Sequence, residues 1–396
     1  MTQAALAGVK VLELGSLIAG PYASALLSQF GADVVKVEPP GTGDALRTWR
    51  KLHVGTSLWW RAQSRNKKSV AIDLRTEAGR ELVRALVRGT DIVIENFRPG
   101  TLERWGLGWE QLHALAPKLV MVRVSGYGQT GPLRDRPGFA AIAEAMGGLR
   151  YVTGFPDRPP VRTGASLGDT LASLYSVIGA LIAMHHVRAG GDGQVVDVAL
   201  YEAVLAGMES LVPEYAMFGH IRERSGASLP GIAPSNTYAC SDAHVVIAGN
   251  SDAIFTRLMR AIERPDLADD LGLAHNDGRV TRATELDDAI GAWTRGRTLD
   301  DVLRILEVSE VPAGRIYTAA DIHGDPHINA RGMIEHHVLA DGTPIDIPGI
   351  VPKLATTPGE TRWLGPELGE HTTEVLAALG IAPERLAVLR AEGVIA

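Results

Sequence analysis

The chain has 396 residues, of which 45% are hydrophobic and 21% charged, and this composition excludes a disordered or fibrous protein. The length suits two or three domains, or one large α/β domain with a smaller companion. Lys and Arg number 39 against 46 Asp and Glu, and the resulting net charge of −7 disfavours generic nucleic-acid binding.

In the first third of the chain, short β-branched runs alternate with helical stretches. Several of the runs are apolar on both faces (VKVLEL, DIVIEN and LVMVRV), which is typical of a parallel sheet covered by helices on both sides. We therefore expect a Rossmann-like α/β large domain. Its predicted strands are 9–14, 33–38, 69–74, 91–97 and 119–125, and its predicted helices are 22–30 and 76–88.

A second group of elements follows a loop rich in Gly and Pro. The pattern predicts helices over 139–146, 169–186 and 201–215 and a strand over 194–200. The apolar part of the long helix, 171–184, is shorter than the roughly 20 residues that span a bilayer, so we expect a buried helix and no membrane contact. The Gly cluster at 190–193 predicts its end.

The character of the sequence changes again at 222–236, where loop residues precede a new α+β pattern. We predict a strand over 244–248 and helices over 251–263, 284–295 and 299–308, then a β-hairpin around Asp341–Gly342 and helices over 371–379 and 383–391. The predicted domains are a large one over 1–205, a linker over 206–225, a small α+β domain over 226–325 and a C-terminal segment over 326–396.

The turn after the first predicted strand, Gly15–Pro21, is where an open α/β fold would first hold a ligand, and it contains Ser16. Glu38, about 20 residues further on, imitates the acidic ribose ligand of a dinucleotide site. The turn has no G-x-G-x-x-G pattern, however, and Pro21-Tyr22 stand where a P-loop needs Lys-Ser/Thr. A tight strand-to-helix turn with Pro at the first helical position is the simpler interpretation.

Positive charge is concentrated in residues 47–75, which carry eight basic side chains and one acid, Asp73. Two interpretations are open, a site for a small polyanion or a solvated basic face. The same stretch contains Trp49, Trp59 and Trp60, which are unusual on a merely solubilising surface, although core packing would also account for them.

The segment Thr163–Asp169, TGASLGD, places one carboxylate at the start of an apolar helix, after residues with very small side chains. Hydrogen bonds from backbone N–H groups and the positive end of the helix dipole would keep Asp169 ionised. Two roles are open. Asp169 is either a simple N-cap or a nucleophile that attacks an activated carbonyl, with nearby N–H groups stabilising the oxyanion.

Ordered blocks along the whole chain resemble the class III CoA transferases, the family of formyl-CoA transferase and the CaiB/BaiF proteins. Among them are VLELGSLIAGPYASALLSQFGADVVKVEPPGTGD, DIVIENFRPGTLERWGLGWEQL, VSGYGQTGP, TGASLGD with GQVVDVALYEAVL, APSNTYACSD and LGEHTTEVL. The resemblance implies that Asp169 is the nucleophile. It implies contacts with coenzyme A at Leu74, Arg75, Asn96, Phe97 and Arg104, in addition to the turn that holds Ser16.

The same resemblance implies a mechanism and an assembly. Asp169 would carry the acyl group as a mixed anhydride and then carry CoA as an aspartyl thioester, so neither ATP nor a metal is required. A loop matching Ser225–Gly231, here with only two glycines, would exclude water. The family architecture is an interlocked homodimer in which the C-terminal segment returns to the large domain.

Three alternatives remain open. The family also contains α-methylacyl-CoA racemases, but their His-Asp pair is replaced here by Phe139-Ala140, which cannot move a proton. Many transferases carry an acid where this chain has Ala140, and Glu144, one helical turn further on, is a candidate substitute. A dinucleotide-dependent oxidoreductase and a catalytically silent CoA-binding protein are the other two.

For the substrate, the expectation is a dicarboxylate such as succinate, since Arg47 and Arg162 would suit a second carboxylate. No metal site is expected, because His185-His186 suit a helix C-terminus and Gly324 and Pro326 interrupt the helix that a His323–His327 ligand pair would need. The single cysteine, Cys240, permits no internal disulfide, and together with an N-terminus unlike a secretory signal it predicts a cytoplasmic protein.

Overall fold

The strands form where runs of Val and Ile can be buried on both faces, which is the environment of a central parallel strand. The computed structural model describes residues 3–396. Its strands are β1 Lys10–Glu13, β2 Asp33–Glu38, β3 Leu52–His53, β4 Thr56–Ser57, β5 Lys67–Ala71, β6 Ile92–Glu95, β7 Val120–Ser125, β8 Gln194–Ala199, β9 Ser235–Ala239, β10 His244–Ala248, β11 Ala313–Arg315, β12 Ile334–Val338 and β13 Pro344–Pro348.

Several helices begin at a Ser, Thr or Asp side-chain cap or at a proline, and several end at glycines. They are α1 Ala19–Gln29, α2 Leu58–Gln63, α3 Glu77–Val87, α4 Thr101–Arg104, α5 Trp109–Leu115, α6 Ala140–Met146, α7 Leu149–Val152, α8 Leu167–Arg188, α9 Leu200–Ala206, α10 Leu211–Phe218, α11 Asp252–Ala261, α12 Pro265–Ala268, α13 Asn276–Thr281, α14 Ala283–Arg295, α15 Leu299–Val308, α16 Ala319–Gly324, α17 Pro326–Ala330, α18 Thr372–Ala378 and α19 Pro383–Ala391. Two short 3-10 helices, Ala45–Thr48 and Leu271–Leu273, complete the set.

The central sheet has six strands in the order β5-β2-β1-β6-β7-β8, and each neighbouring pair is parallel. The chain builds outward from β1 through β2 to β5, then crosses back to place β6 on the other side of β1. This reversal opens a crevice at the carboxyl ends of β1 and β6, the usual place for a ligand in an open α/β sheet. The predicted parallel α/β fold is confirmed.

Helices cover both faces of this sheet, and successive residues of β1 show how the two layers divide. Leu12 packs on the side of α3, α5, α18 and α19, whereas Val11 packs on the side of α1, α8 and α9. Most of the buried side chains on both faces of the central strands are apolar, with a few buried charged residues such as Glu13 and Lys36 among them. The sheet is therefore buried on both sides, as the uninterrupted hydrophobic runs indicate.

The chain divides into two compact units. The first comprises residues up to Arg150, Thr163–Glu209 and Gly332–Ala396, and the second comprises Tyr151–Arg162 and Ser210–Arg331. In the second unit, the antiparallel strands β11, β10 and β9 form a sheet that packs its apolar side chains with those of α11, α14 and α15. The C-terminal segment of the first unit pairs Ile395 with Ile72.

Two expectations about helices were wrong. The helix predicted over 201–215 is interrupted at Gly207, which ends α9, and α10 starts afresh at Leu211. The apolar helix α8 is buried on one face only, because Ile178 and Ile182 on the other face are 51% and 66% exposed. Length and hydropathy alone would let α8 cross a membrane, although its inner face packs against the sheet and α1.

The predicted hairpin is confirmed as β12 and β13.

Buried charges connect the first three strands of the sheet. Glu13 of β1 accepts hydrogen bonds from Lys36 of β2 at 2.5 Å and from Lys67 of β5 at 2.8 Å, and all three side chains are about 1% exposed or less. Burial acts to raise the pKa of Glu13, but the two ammonium groups hold it below its ordinary value. Burial likewise acts to lower the pKa of Lys36, whereas Asp44 and Glu13 raise it. Burial lowers the pKa of Lys67 although Glu13 opposes the shift, so the directions favour the charged forms at Glu13 and Lys36 in particular.

We expect Glu13→Gln to destabilise the protein by about 3–5 kcal/mol, because it leaves two buried ammonium groups without their shared counter-ion. Urea unfolding followed by circular dichroism measures the change. Glu77→Gln is the matched control, because its carboxylate pairs with Arg80 and Arg84 on the surface and its loss should change the midpoint little. Equal midpoints for Glu13→Gln and the parent protein would contradict this account of the cluster.

Candidate active site

The loop that follows β1 is held by Asn96, the first residue after β6. The Asn96 side chain accepts a hydrogen bond from Ser16 N at 2.8 Å and donates one to Ser16 O at 2.8 Å. Gly15 must lack a side chain here, since a Cβ on it would lie 2.8 Å from Asn96 Oδ1. The structure thus brings two predicted CoA contacts, Ser16 and Asn96, together at the crevice between β1 and β6.

Buried lysine and aspartate side chains also hold the Gly15–Pro21 loop. Lys36 donates to Gly15 O at 2.9 Å, and Lys67 donates to Pro21 O at 2.6 Å. Asp44, paired with Lys36 at 2.7 Å, accepts a hydrogen bond from Leu17 N at 2.9 Å. Leu17 has a φ of +67°, a left-handed conformation that a leucine adopts only when its surroundings impose it.

Helix α8 carries Asp169 in its first turn, half-buried. One turn further on, Ser173 donates a hydrogen bond to Ala19 O at 2.7 Å, which joins α8 to the first residue of α1. The helix start therefore lies beside the loop that Asn96 holds. Ser166, the N-cap residue, forms no side-chain capping hydrogen bond, so the positive end of the helix dipole acts on Asp169 directly.

Glu144, the proposed substitute for the missing acid, lies against the start of α8. Its side chain is 2% exposed and accepts a hydrogen bond from Gly168 N, the residue before Asp169, at 3.3 Å. Its other oxygen lies 3.5 Å from the Arg150 guanidinium. Ala140 is buried in the first turn of α6, while Phe139 is 69% exposed. Neither of these two residues offers a proton-transfer group for racemisation.

Phe97 and Arg104, also predicted to contact CoA, flank the same strand end. Phe97 packs edge-on against Trp105 with ring centroids 5.4 Å apart, and the Arg104 side chain is exposed in α4. Glu95, just before Asn96, is buried, and burial raises its pKa to about 7 although Arg123 opposes the shift from 2.7 Å away. This strand end therefore carries exposed cations, Arg104 among them, beside a partly buried aromatic ring.

Leu74 and Arg75 follow β5 at the far side of the sheet. The Arg75 side chain is 81% exposed and forms an ion pair with Asp73 at 2.8 Å. In the sheet order, β5 is separated from β1 by β2. These two predicted CoA contacts therefore lie at the same carboxyl edge as Ser16 and Asn96, but two strands away from them.

The basic stretch 47–75 has a structural explanation that neither sequence interpretation anticipated. Arg47 is bound by Glu38 through two hydrogen bonds of 2.8 Å and lies 3.8 Å above the buried Trp60 ring. It is therefore not available to a substrate carboxylate, and Glu38 is not available to a ribose. Six of the eight cations form ion pairs: Arg47, Arg61, Arg65, Lys67, Lys68 and Arg75.

Two other predicted features belong to the second unit. Arg162 is exposed there. Ser225–Gly231 forms a turn in which the Ser225 and Ser228 hydroxyls each donate to the other's backbone oxygen, at 2.7 and 2.9 Å. Among residues 3–396, no cluster of three or more His, Cys, Asp or Glu side chains is arranged to bind a metal.

Known proteins resemble this chain over nearly its whole length. A family model described as CoA-transferase family III matches residues 6–372. A succinyl-CoA–D-citramalate CoA-transferase of Chloroflexus aurantiacus is 53% identical over 98% of this chain and 97% of its own length. A succinate–glutarate CoA-transferase of Agrobacterium fabrum is 36% identical over 94% of this chain and 95% of its own.

Solved structures also resemble this chain. The crystal structure of a CaiB/BaiF family protein from Brucella suis superimposes with a TM-score of 0.83 and 36% identity, covering 96% of this chain and all of that one. Fold, site and relatives together define an α/β enzyme that transfers coenzyme A. The chain belongs to CoA-transferase family III.

We expect Asn96→Ala to lower kcat/KM for the acyl-CoA donor by about 10- to 100-fold, because the loop after β1 loses two hydrogen bonds. Initial rates at several donor concentrations measure the effect, and thermal unfolding shows whether the variant remains folded. Asn329→Ala is the control, since Asn329 donates only to backbone oxygens of the second unit. Unchanged kinetics in Asn96→Ala would separate this loop from donor binding.

Proposed function

We propose that the protein moves CoA from an acyl-CoA donor to a free carboxylic acid, with Asp169 as the covalent carrier and a dicarboxylate such as succinate on the donor side. The supporting observation is the position of Asp169, in the first turn of α8 beside the fixed Gly15–Pro21 loop. That loop lies at the switch point of the sheet, where the thioester end of CoA would lie.

The Asp169 carboxylate attacks the thioester carbonyl carbon and expels the CoA thiolate, which leaves an acyl-aspartyl anhydride. The thiolate then attacks the aspartyl carbonyl carbon, the C–O bond of the anhydride breaks, and the free donor acid departs. The carboxylate of the acceptor attacks the resulting aspartyl thioester and expels the thiolate again. A last attack by the thiolate on the acceptor carbonyl forms the new thioester and regenerates Asp169.

No step of this cycle consumes or releases a proton overall, and each step exchanges one good leaving group for another. The residues must therefore orient the carboxylates, stabilise oxyanions and keep out water, since a water molecule would hydrolyse the anhydride. The chain supplies no His-Asp pair before α6, which favours transfer over racemisation. For CoA itself we propose contacts from Ser16, Leu74, Arg75, Asn96, Phe97 and Arg104.

The choice of a dicarboxylic donor is supported by the names of the relatives. The Chloroflexus and Agrobacterium proteins are named for succinyl-CoA or succinate together with citramalate or glutarate. A protein of Haloarcula hispanica, 35% identical over 95% of this chain and 97% of its own, is named a succinyl-CoA:mesaconate CoA-transferase. Each named acid carries two carboxylates, so we propose a donor and an acceptor of this class.

We also propose that two copies of the chain associate, as the family resemblance implies. One face of α8 exposes apolar side chains at helical spacing: Leu174, Tyr175, Ile178, Leu181 and Ile182. Such a continuous apolar face is typical of an interaction surface. In the second unit, α10 exposes four further large apolar side chains: Val212, Tyr215, Met217 and Phe218. An interlocked dimer would bury both faces.

Ser225–Gly231 remains our candidate for a segment that excludes water from the anhydride. Its two glycines, Gly226 and Gly231, have φ angles of +67° and +74°, so the turn depends on residues without a side chain. A cytoplasmic location is likewise proposed, on the single cysteine and on the supply of CoA thioesters that the reaction requires.

We expect Asp169→Asn to lower CoA transfer by at least about 10³-fold, because an amide cannot form the anhydride. Hydroxylamine added with succinyl-CoA should modify Asp169 in the parent protein, as seen by peptide mass spectrometry. Asp192→Asn is the matched control, since Asp192 lies just beyond the other end of α8 and pairs with Lys118 on the surface. Transfer at the parent rate by Asp169→Asn would refute the covalent route.

We expect light scattering to give a mass near twice the 42.2 kDa of one chain, and Ile182→Glu to shift it toward one chain, because a carboxylate on the α8 face opposes burial. Leu271→Glu, at a residue 90% exposed outside these faces, should leave the mass unchanged. A parent protein of one-chain mass would contradict the proposed assembly.

A further inference from the structure

Arg150 is a partly buried cation, and within residues 3–396 one of its hydrogen-bond donors has no acceptor. Its side chain is 29% exposed, and it pairs with Glu144 at 3.5 Å, too long for a good hydrogen bond. Within residues 3–396, no acceptor lies in hydrogen-bonding range of its buried Nε. Buried arginine donors usually have an acceptor, so the unfilled Nε of Arg150 leaves a place for a partner that is not part of the chain.

The position of this guanidinium is set by the start of α8. One oxygen of Glu144 accepts from Gly168 N at 3.3 Å, and the other lies 3.5 Å from Arg150. Two contacts on a single carboxylate place the guanidinium within about 9 Å of the Gly168 amide, the residue before Asp169. An extended succinyl group spans about 5 Å from its thioester carbon to its far carboxylate. The separation between the Gly168 amide and the Arg150 guanidinium is therefore comparable with the length of a short dicarboxylic acyl group.

Charge gives a second reason for a cation at this place. Asp169 and the buried Glu144 are two carboxylates near the start of α8. A dicarboxylic acyl group held for attack by Asp169 would add a third, and like charges in a poorly solvated site repel strongly. A guanidinium offsets this repulsion, and its planar donors match a carboxylate in a bidentate pair.

We propose that Arg150 is the residue that recognises the far carboxylate of the acyl group, with Glu144 as the positioning residue that holds the guanidinium. This inference rests on the proposed CoA transfer and assigns its selectivity for dicarboxylic acyl groups to one side chain. Glu144 thereby has a use other than proton transfer. Its two contacts join the recognition of the acyl group to the helix that carries the nucleophile.

The test compares succinyl-CoA with butyryl-CoA, which has the same chain length and a methyl group in place of the carboxylate. In Arg150→Met, the ratio of kcat/KM for succinyl-CoA to that for butyryl-CoA should fall at least about tenfold, the worth of a hydrogen-bonded ion pair. Arg150→Lys, which keeps the charge and loses the fork, should give an intermediate ratio. Arg88→Met, at an exposed arginine after α3, should keep the parent ratio.

The two thioesters can also be compared by their binding, in the absence of turnover. In an Asp169→Asn background, calorimetry gives the Kd for each thioester, and adding Arg150→Met should weaken succinyl-CoA binding selectively. Equal losses for both thioesters, or no loss for either, would overturn the assignment of Arg150. A parent protein that binds succinyl-CoA selectively through Arg150 and yet transfers no CoA would instead overturn the proposed function alone.

Discussion

The site depends on one arrangement of buried charge, the contact of Glu13 with Lys36 and Lys67. Lys36 uses its three donors on Glu13, Gly15 O and Asp44, and Lys67 extends the same support to Pro21 O. Ammonium groups removed from water are tolerated only when their donors are filled in this way. The strands thus hold both ends of the loop that begins the site, before any substrate is present.

Because these contacts hold the Gly15–Pro21 loop, α8 is bound to a fixed part of the chain. Ser173 joins α8 to Ala19, and Asn96 joins the loop to the end of β6, so Asp169 is placed by contacts to two different strand ends. Acyl transfer gains most of its rate from the geometry of attack, and displacements of about 1 Å are costly. The strain at Leu17 is consistent with a loop shaped for its ligand rather than for its own backbone preferences.

The sequence predicted those parts of the fold that local patterns determine. Runs such as DIVIEN predicted the parallel strands within a few residues. The charge of residues 47–75 was misinterpreted because Arg47, Arg61 and Arg65 find their acids at Glu38, Glu367 and Glu335, the last two hundreds of residues away. Burial of α8 was overestimated because hydropathy does not distinguish a core from an interface. Arg150 carried no local signal.

In the two proposals, Asp169 carries the acyl group and Arg150 selects it. This division affects how the enzyme distinguishes one acyl group from another. In the proposed mechanism, Asp169 would react with any thioester placed before it, since the attack depends only on the carbonyl group. Discrimination between acyl groups therefore has to come from elsewhere, and a buried cation is effective because a donor without the second carboxylate leaves the fork unfilled. Glu144 contacts both Gly168 N and Arg150, so under this proposal it would connect the residue that selects the acyl group with the first turn of α8.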